Sequence, residues 1–172
     1  ELYESSAAAK EIFDIAETKK PGIKKLCFEG SKEEQSITIN TQPCVFCTDF
    51  AAAAALAEKG IKPSFLAGFS LGEIPALTFA SVFTKEQGIE LVLKRAALMQ
   101  KAAEASNGAM MAVVKLSDET VITLAKEFTE VYAVNFNSPG QVVAAGNKEQ
   151  LKEFAIKVKE AGGRAIPLAV SG

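Results

Sequence analysis

Residues Gly68-Phe69-Ser70-Leu71-Gly72 place one serine between two glycines inside the apolar stretch Leu66–Leu77. The pattern is G-x-S-x-G, and its physical content is a strand-to-helix turn tight enough to project a hydroxyl from the bend. Glycine on each flank leaves room where a larger side chain would collide with the returning backbone. A hydroxyl held in this way is a candidate nucleophile. Serine also occupies tight turns for steric reasons alone, so the pentapeptide by itself leaves both readings open. A serine hydroxyl is a weak nucleophile until a base takes its proton, and histidine is the usual base. This chain contains no histidine.

A second candidate is Arg95. It lies in a helical pattern that is apolar on nearly every side, with Leu91 and Val92 behind it and Leu98 and Met99 ahead. Its neighbour Lys94 has Glu90 four residues back as a surface partner, whereas Arg95 has no acid within local reach. A largely buried guanidinium without a partner is costly, so either a distant carboxylate or a ligand must satisfy it. Arginine suits the ligand role because its planar fork grips a carboxylate through two parallel hydrogen bonds. Cys44-Val45-Phe46-Cys47 reads C-x-x-C, but no second ligand pair accompanies it, and it falls in a helix beside alanines. These cysteines read as buried small residues. Glu73 opens a helix, where a carboxylate favours the N-terminal dipole, so it reads as a capping residue or one that supports the site from behind, rather than as an acid–base catalyst.

The elements that must position these groups can be read from caps and periodicity. Ser6 caps a helix over Ala7–Glu17 that turns Ile12, Phe13 and Ala16 to one face. The polar stretch Lys19–Gln35 reads as loop with a short turn. Thr41 caps a long helix with Pro43 in its first turn, and Gly60 ends it. Pro63–Phe69 reads as a short buried strand leading to Ser70, followed by a helix from Leu71 that tolerates Pro75 in its first turn. Thr84 and Gln87 form a capping box for a helix reaching about Ser106. From Gly108 to Ser171 the order becomes β-α-β-β-α-β, with Pro139-Gly140-Gln141 as the hairpin turn and Asn147 as a cap. That order is the ferredoxin-like pattern.

Bulk properties narrow the class. The chain has 172 residues, of which 48% are hydrophobic and 23% charged, enough for a packed core. A net charge of −2 argues against nucleic-acid binding. No apolar run is long enough to cross a bilayer, and no basic-then-apolar leader opens the chain. Three cysteines, an odd number, fit a reducing compartment. The expectation is a cytoplasmic protein without membrane or nucleic-acid partners. Lysines 19, 20, 24 and 25, and lysines 152, 157 and 159, read as solvated faces.

Five blocks now make the chain resemble the malonyl-CoA:acyl-carrier-protein transacylase (acyltransferase) family. They are Asn40–Phe46 (NTQPCVF), Gly68–Glu73 (GFSLGE), Lys94–Gln100 (KRAALMQ), Gly108–Val114 (GAMMAVV) and Asn135–Gly146 (NFNSPGQVVAAG), in the family's order. The resemblance implies an α/β fold in which residues 1–107 are part of a hydrolase-like large domain, incomplete in this chain. Residues 108–171 would form a small ferredoxin-like subdomain. It further implies that Ser70 takes the malonyl group from coenzyme A as an ester and that the Leu71 N–H serves the oxyanion hole. Arg95 would bind the free carboxylate, with Met99 and Asn137 at the substrate. Acyl carrier protein is then the acceptor partner, for fatty-acid or polyketide synthesis, with no metal or other cofactor beyond the coenzyme A thioester. Phe69 stands where the family commonly has histidine. The family's G-Q-G segment would lie before Glu1 and its catalytic histidine beyond Gly172. The alternatives are a serine thioesterase or hydrolase sharing Ser70, and a non-catalytic fragment that binds carrier protein.

Overall fold

The computed structural model describes residues 1–168, and the chain divides into two units, Glu1–Met99 and Gln100–Gly172. The first unit opens with a short helix, α1 (Leu2–Ser5), followed by α2 (Ala7–Lys19). Ser6 caps α2 as its position requires, accepting the Ala9 N–H at 3.1 Å. Helix α2 buries Ala9, Ile12, Phe13 and Ala16, the spacing of one helical face.

The stretch expected as loop instead holds two helices, α3 (Ile23–Glu29) and α4 (Lys32–Ser36). Gly22, at φ +88°, turns the chain after α2. The Glu17 carboxylate then accepts the N–H groups of Gly22 at 2.7 Å and Lys24 at 3.0 Å, so α3 is capped by the preceding helix. Ser31 and Glu34 form a full capping box at α4.

The long helix α5 (Thr38–Glu58) begins three residues earlier than Thr41, and Pro43 lies inside it. The Thr41 hydroxyl donates to the Gln35 and Ile37 carbonyls rather than capping. Proline removes the hydrogen bond to the residue four positions back. That orphan is the Ile39 carbonyl, and the Lys20 ammonium donates to it at 3.5 Å. Gly60, at φ +83°, closes α5 as expected, with Ile61 N–H returning to the Leu56 carbonyl and Gly60 N–H to the Ala57 carbonyl.

Pro63–Phe69 is not a strand. Phe65 is 93% exposed and Phe69 is 66% exposed. A strand needs a ladder partner for its backbone groups, and among the described residues of this unit no segment is in strand. A 3-10 turn, Ser70–Gly72, leads into α6 (Glu73–Phe79), with Pro75 in its first turn as expected. Helix α7 (Lys85–Ala105) starts at the expected capping box: Thr84 N–H donates to Gln87 Oε1 at 2.9 Å, and Gln87 N–H to Thr84 Oγ1 at 3.2 Å. The core of this unit joins Ile12, Phe13, Phe46, Phe50, Ile89 and Val92.

The second unit follows the expected order of elements. They are β1 (Gly108–Val114), α8 (Asp118–Ala125), β2 (Val131–Ser138), β3 (Gln141–Asn147), α9 (Lys148–Glu160) and β4 (Arg164–Pro167). The strands line up as β2-β3-β1-β4 with all neighbours antiparallel. Pro139-Gly140 makes the β2–β3 turn, with Gly140 at φ +76°. Asn147 caps α9, its side chain accepting the Glu149 and Gln150 N–H groups. Both helices pack on one face of the sheet through Val121, Leu151, Phe154 and Val158 against Met111, Val113 and Val142. The end of the last expected strand, residues 169–171, lies outside the described residues. The chain as a whole is α/β, and among the described residues no helix is long and apolar enough to cross a membrane.

Candidate active site

Ser70 sits at φ +53°, the left-handed region that a residue with a Cβ enters only at a cost. The surrounding turn enforces it. Gly68 packs so closely on the backbone of Gly72 and Glu73 that any Cβ at 68 would overlap it. Gly72 is different: its φ is −61° and a Cβ there meets nothing, so the expected collision holds on one flank only. Ser70 is consequently exposed at the bend. The Leu71 N–H falls in the first helical turn, where amide donors have no carbonyl within the helix to bond. An apolar groove bounded by Val45, Phe50, Leu66, Phe69, Leu71 and Phe79 runs beside this turn.

Arg95 reaches Ser70 from α7. One guanidinium nitrogen, Nη2, donates to Ser70 Oγ at 3.1 Å, and the other, Nη1, donates to Gln42 Oε1 at 2.5 Å. Gln42 Nε2 in turn donates to Met99 Sδ at 3.2 Å. Three of the expected site residues, Ser70, Arg95 and Met99, are therefore brought into one chain of contacts, and Gln42 joins it unanticipated. Gln42 is buried, 6% exposed, whereas Arg95 is only half-buried. Among the described residues no carboxylate pairs with Arg95. The expected Glu90 partner of Lys94 is engaged elsewhere, by Lys19 at 2.6 Å. A signal for Gln42 exists in the sequence. Gln42, Phe46 and Phe50 recur every four residues, so Gln42 is a polar residue on the core stripe of α5.

The remaining candidates are placed as follows. Glu73 is exposed at the first position of α6, where its charge faces the helix start. Asn137 belongs to the second unit, exposed on β2 at a register shift between Phe136 and Ser138. Cys47 is buried in the first unit's core, as expected, and burial pushes its thiol up to about 12, whereas Cys44, expected buried as well, is only half-buried. Cys27 donates to Cys44, which raises the Cys27 thiol and lowers that of Cys44.

The fold and site thus define an α/β protein that presents a serine on a strained turn beside a guanidinium that no carboxylate pairs with among the described residues. Comparison with known proteins agrees with this class. The chain belongs to the acyl transferase domain family, whose model matches residues 1–171. It is 39% identical over 178 residues to the malonyl CoA-acyl carrier protein transacylase of Bacillus subtilis (strain 168), covering 100% of this chain. Against the protein of that name from Haemophilus influenzae it is 44% identical over 149 residues, 83% of this chain. The chain spans about half the length of the curated relatives it matches, 56% and 48% in these two cases. Among solved structures, a malonyl-transacylase in complex with its type II PKS acyl-carrier protein superimposes with a TM-score of 0.92. That match is at 39% identity and covers 99% of this chain and 57% of the other. The malonyl CoA-acyl carrier protein transacylase of Clostridium perfringens gives a TM-score of 0.92 at 34% identity, covering 100% of this chain and 56% of the other.

Proposed function

We propose that the whole protein moves a malonyl group from coenzyme A to the phosphopantetheine thiol of an acyl carrier protein, by way of an ester on Ser70. The observation that carries this reading is the Arg95 guanidinium, 3.1 Å from Ser70 Oγ and without an acidic partner among the described residues. In a malonyl ester the free carboxylate lies one methylene beyond the ester carbonyl. A cation already touching Oγ is therefore within reach of that carboxylate. The family membership and the names of the relatives support the same substrates and acceptor.

The chemistry then follows from this chain's own groups. Ser70 Oγ attacks the thioester carbonyl carbon and the Leu71 N–H steadies the oxygen that becomes negative. The carbon–sulfur bond breaks, and coenzyme A leaves as the thiol with the proton that Ser70 gave up. The carrier thiol reverses these steps. Arg95 clamps the acyl carboxylate meanwhile, which orients the ester carbonyl, with Met99 lining the same place. Asn137 is read as a further substrate-binding residue on the family resemblance alone. The chain has no histidine, so a base from outside these 172 residues takes the serine proton. The reaction calls for no cofactor besides the coenzyme A thioester.

In fold terms, residues 1–107 are read as part of a hydrolase-like large domain, supported by the strained serine at the start of a helix. Residues 108–171 are read as a ferredoxin-like subdomain, supported by the strand order β2-β3-β1-β4. Free Cys27, Cys44 and Cys47 support a cytoplasmic setting.

The test is to incubate the full-length protein with malonyl-CoA, quench it and map the peptides by mass. The malonyl ester is expected on the peptide that contains Ser70, and it should discharge to carrier thiol faster than to water. An ester on another residue sinks the assignment, and discharge to water alone makes the protein a hydrolase.

A further inference from the structure

We infer that Gln42 is a positioning residue that makes the site selective for acidic acyl groups, by holding Arg95 through a neutral acceptor. The inference rests on the acyl-transfer reading above and deepens it. A guanidinium on a long side chain samples many rotamers unless something fixes it, and the usual anchor is a carboxylate. Here the anchor is an amide oxygen, Gln42 Oε1, at 2.5 Å from Nη1. The difference is one of charge. A carboxylate at this position would cancel the arginine's charge and compete with a substrate carboxylate for the same fork. The amide fixes the fork and leaves its full charge for the ligand.

The amide's orientation is itself determined. Met99 Sδ has no hydrogen to donate, so the Gln42 group 3.2 Å from it must be the NH2, and the oxygen must face Arg95. The reversed amide would set donor against donor at the guanidinium. Gln42 is 6% exposed, so water is poorly placed to substitute for it. Of the five guanidinium N–H groups, one goes to Gln42 and one to Ser70, and the others remain to bind a carboxylate.

The experiment compares Gln42→Glu, Gln42→Met and Arg95→Ala in the full-length protein, reading Ser70 ester formation from malonyl-CoA and from acetyl-CoA. Acetyl lacks the distal carboxylate, so the ratio of the two kcat/KM values isolates the charge. Gln42→Glu should lower malonyl transfer at least about tenfold more than acetyl transfer, since losing a charge-assisted contact is worth about that factor. Gln42→Met keeps the volume but frees the fork, and should raise KM for malonyl-CoA more than it lowers kcat. If Gln42→Glu does not fold, as judged by circular dichroism, Gln42→Met decides alone. Equal losses with both acyl groups, while Arg95→Ala still cuts the malonyl preference, overturn the role of Gln42. An Arg95→Ala protein with unchanged preference, or a wild type without ester on Ser70, instead overturns the acyl-transfer reading beneath it.

Discussion

A methyl group at residue 68 would overlap the Gly72 carbonyl and the Glu73 N–H, both backbone, so no side-chain motion can relieve it. The turn would have to open, and Ser70 Oγ would move relative to Arg95 and the Leu71 amide. Displacements of about 1 Å at a reacting group cost on the order of a hundredfold in rate. Gly68→Ala is therefore expected to fold yet lose about that factor in Ser70 ester formation, whereas Gly72→Ala meets open space and should lose far less. Comparable losses for the two variants, measured by rapid-quench labelling, would contradict the steric account. At this scale Ser70 and Arg95 are legible because their signals are local: a pentapeptide, and a cation amid apolar neighbours. Gln42 is harder to read because its partner lies 53 residues away. Only its place on the stripe with Phe46 and Phe50 betrays it.

Ser6 shows how one element is tied to another. Its hydroxyl oxygen accepts the Ala9 N–H and its hydrogen goes to Glu58 Oε2 at 2.6 Å, linking the start of α2 to the end of α5. Replacing an N-cap serine by alanine costs about 0.5–2 kcal/mol, and Ser6 is buried, so Ser6→Ala should fall at the upper end. Urea unfolding of the full-length protein checks this, and an unchanged midpoint would mean that water replaces both bonds. Caps of this kind made α2, α7 and α9 readable in advance. Helices α3 and α4 are short, and short helices draw their stability from tertiary contacts such as Glu17 on α3. Ser31-Lys-Glu-Glu34 does carry the capping-box pattern, and it marks α4 within the polar stretch. Pro63–Phe69 fails in the opposite sense: its composition suits a strand, but a strand exists only as a pair, and pairing is not a property of the segment itself.

For the whole molecule, the acidic groups with shifted titration predict how folding responds to acid. Asp14 is lowered by its hydrogen bond from Lys24, then by Tyr3, and Glu17 is lowered by the backbone N–H groups of Lys24 and Gly22. Glu86 is lowered by its own backbone N–H and Thr84, and Glu149 by Lys152. A carboxyl group whose folded pKa lies below its unfolded value stabilises the fold above that unfolded value, about 4. The contribution disappears as pH falls through the folded value. Lys19 and Lys24 are raised by Glu90 and Asp14 respectively, so their share is present below about 10.4 and fades only as pH climbs past the folded value. Between these limits none of the six groups opposes folding. The acid limb should be carried mainly by the first unit, which holds Asp14, Glu17 and Glu86, against Glu149 alone in the second. Glu17 is the sharpest probe because its carboxylate also caps α3. In Glu17→Gln the amide oxygen still accepts one N–H but no longer titrates. The urea midpoint of the full-length variant should therefore start lower than wild type at pH 6 and converge on it only as pH falls through the folded value of Glu17, below the ordinary carboxylate range. A gap between the two proteins that stays constant across this range would show that the Glu17 charge contributes nothing and only its shape matters.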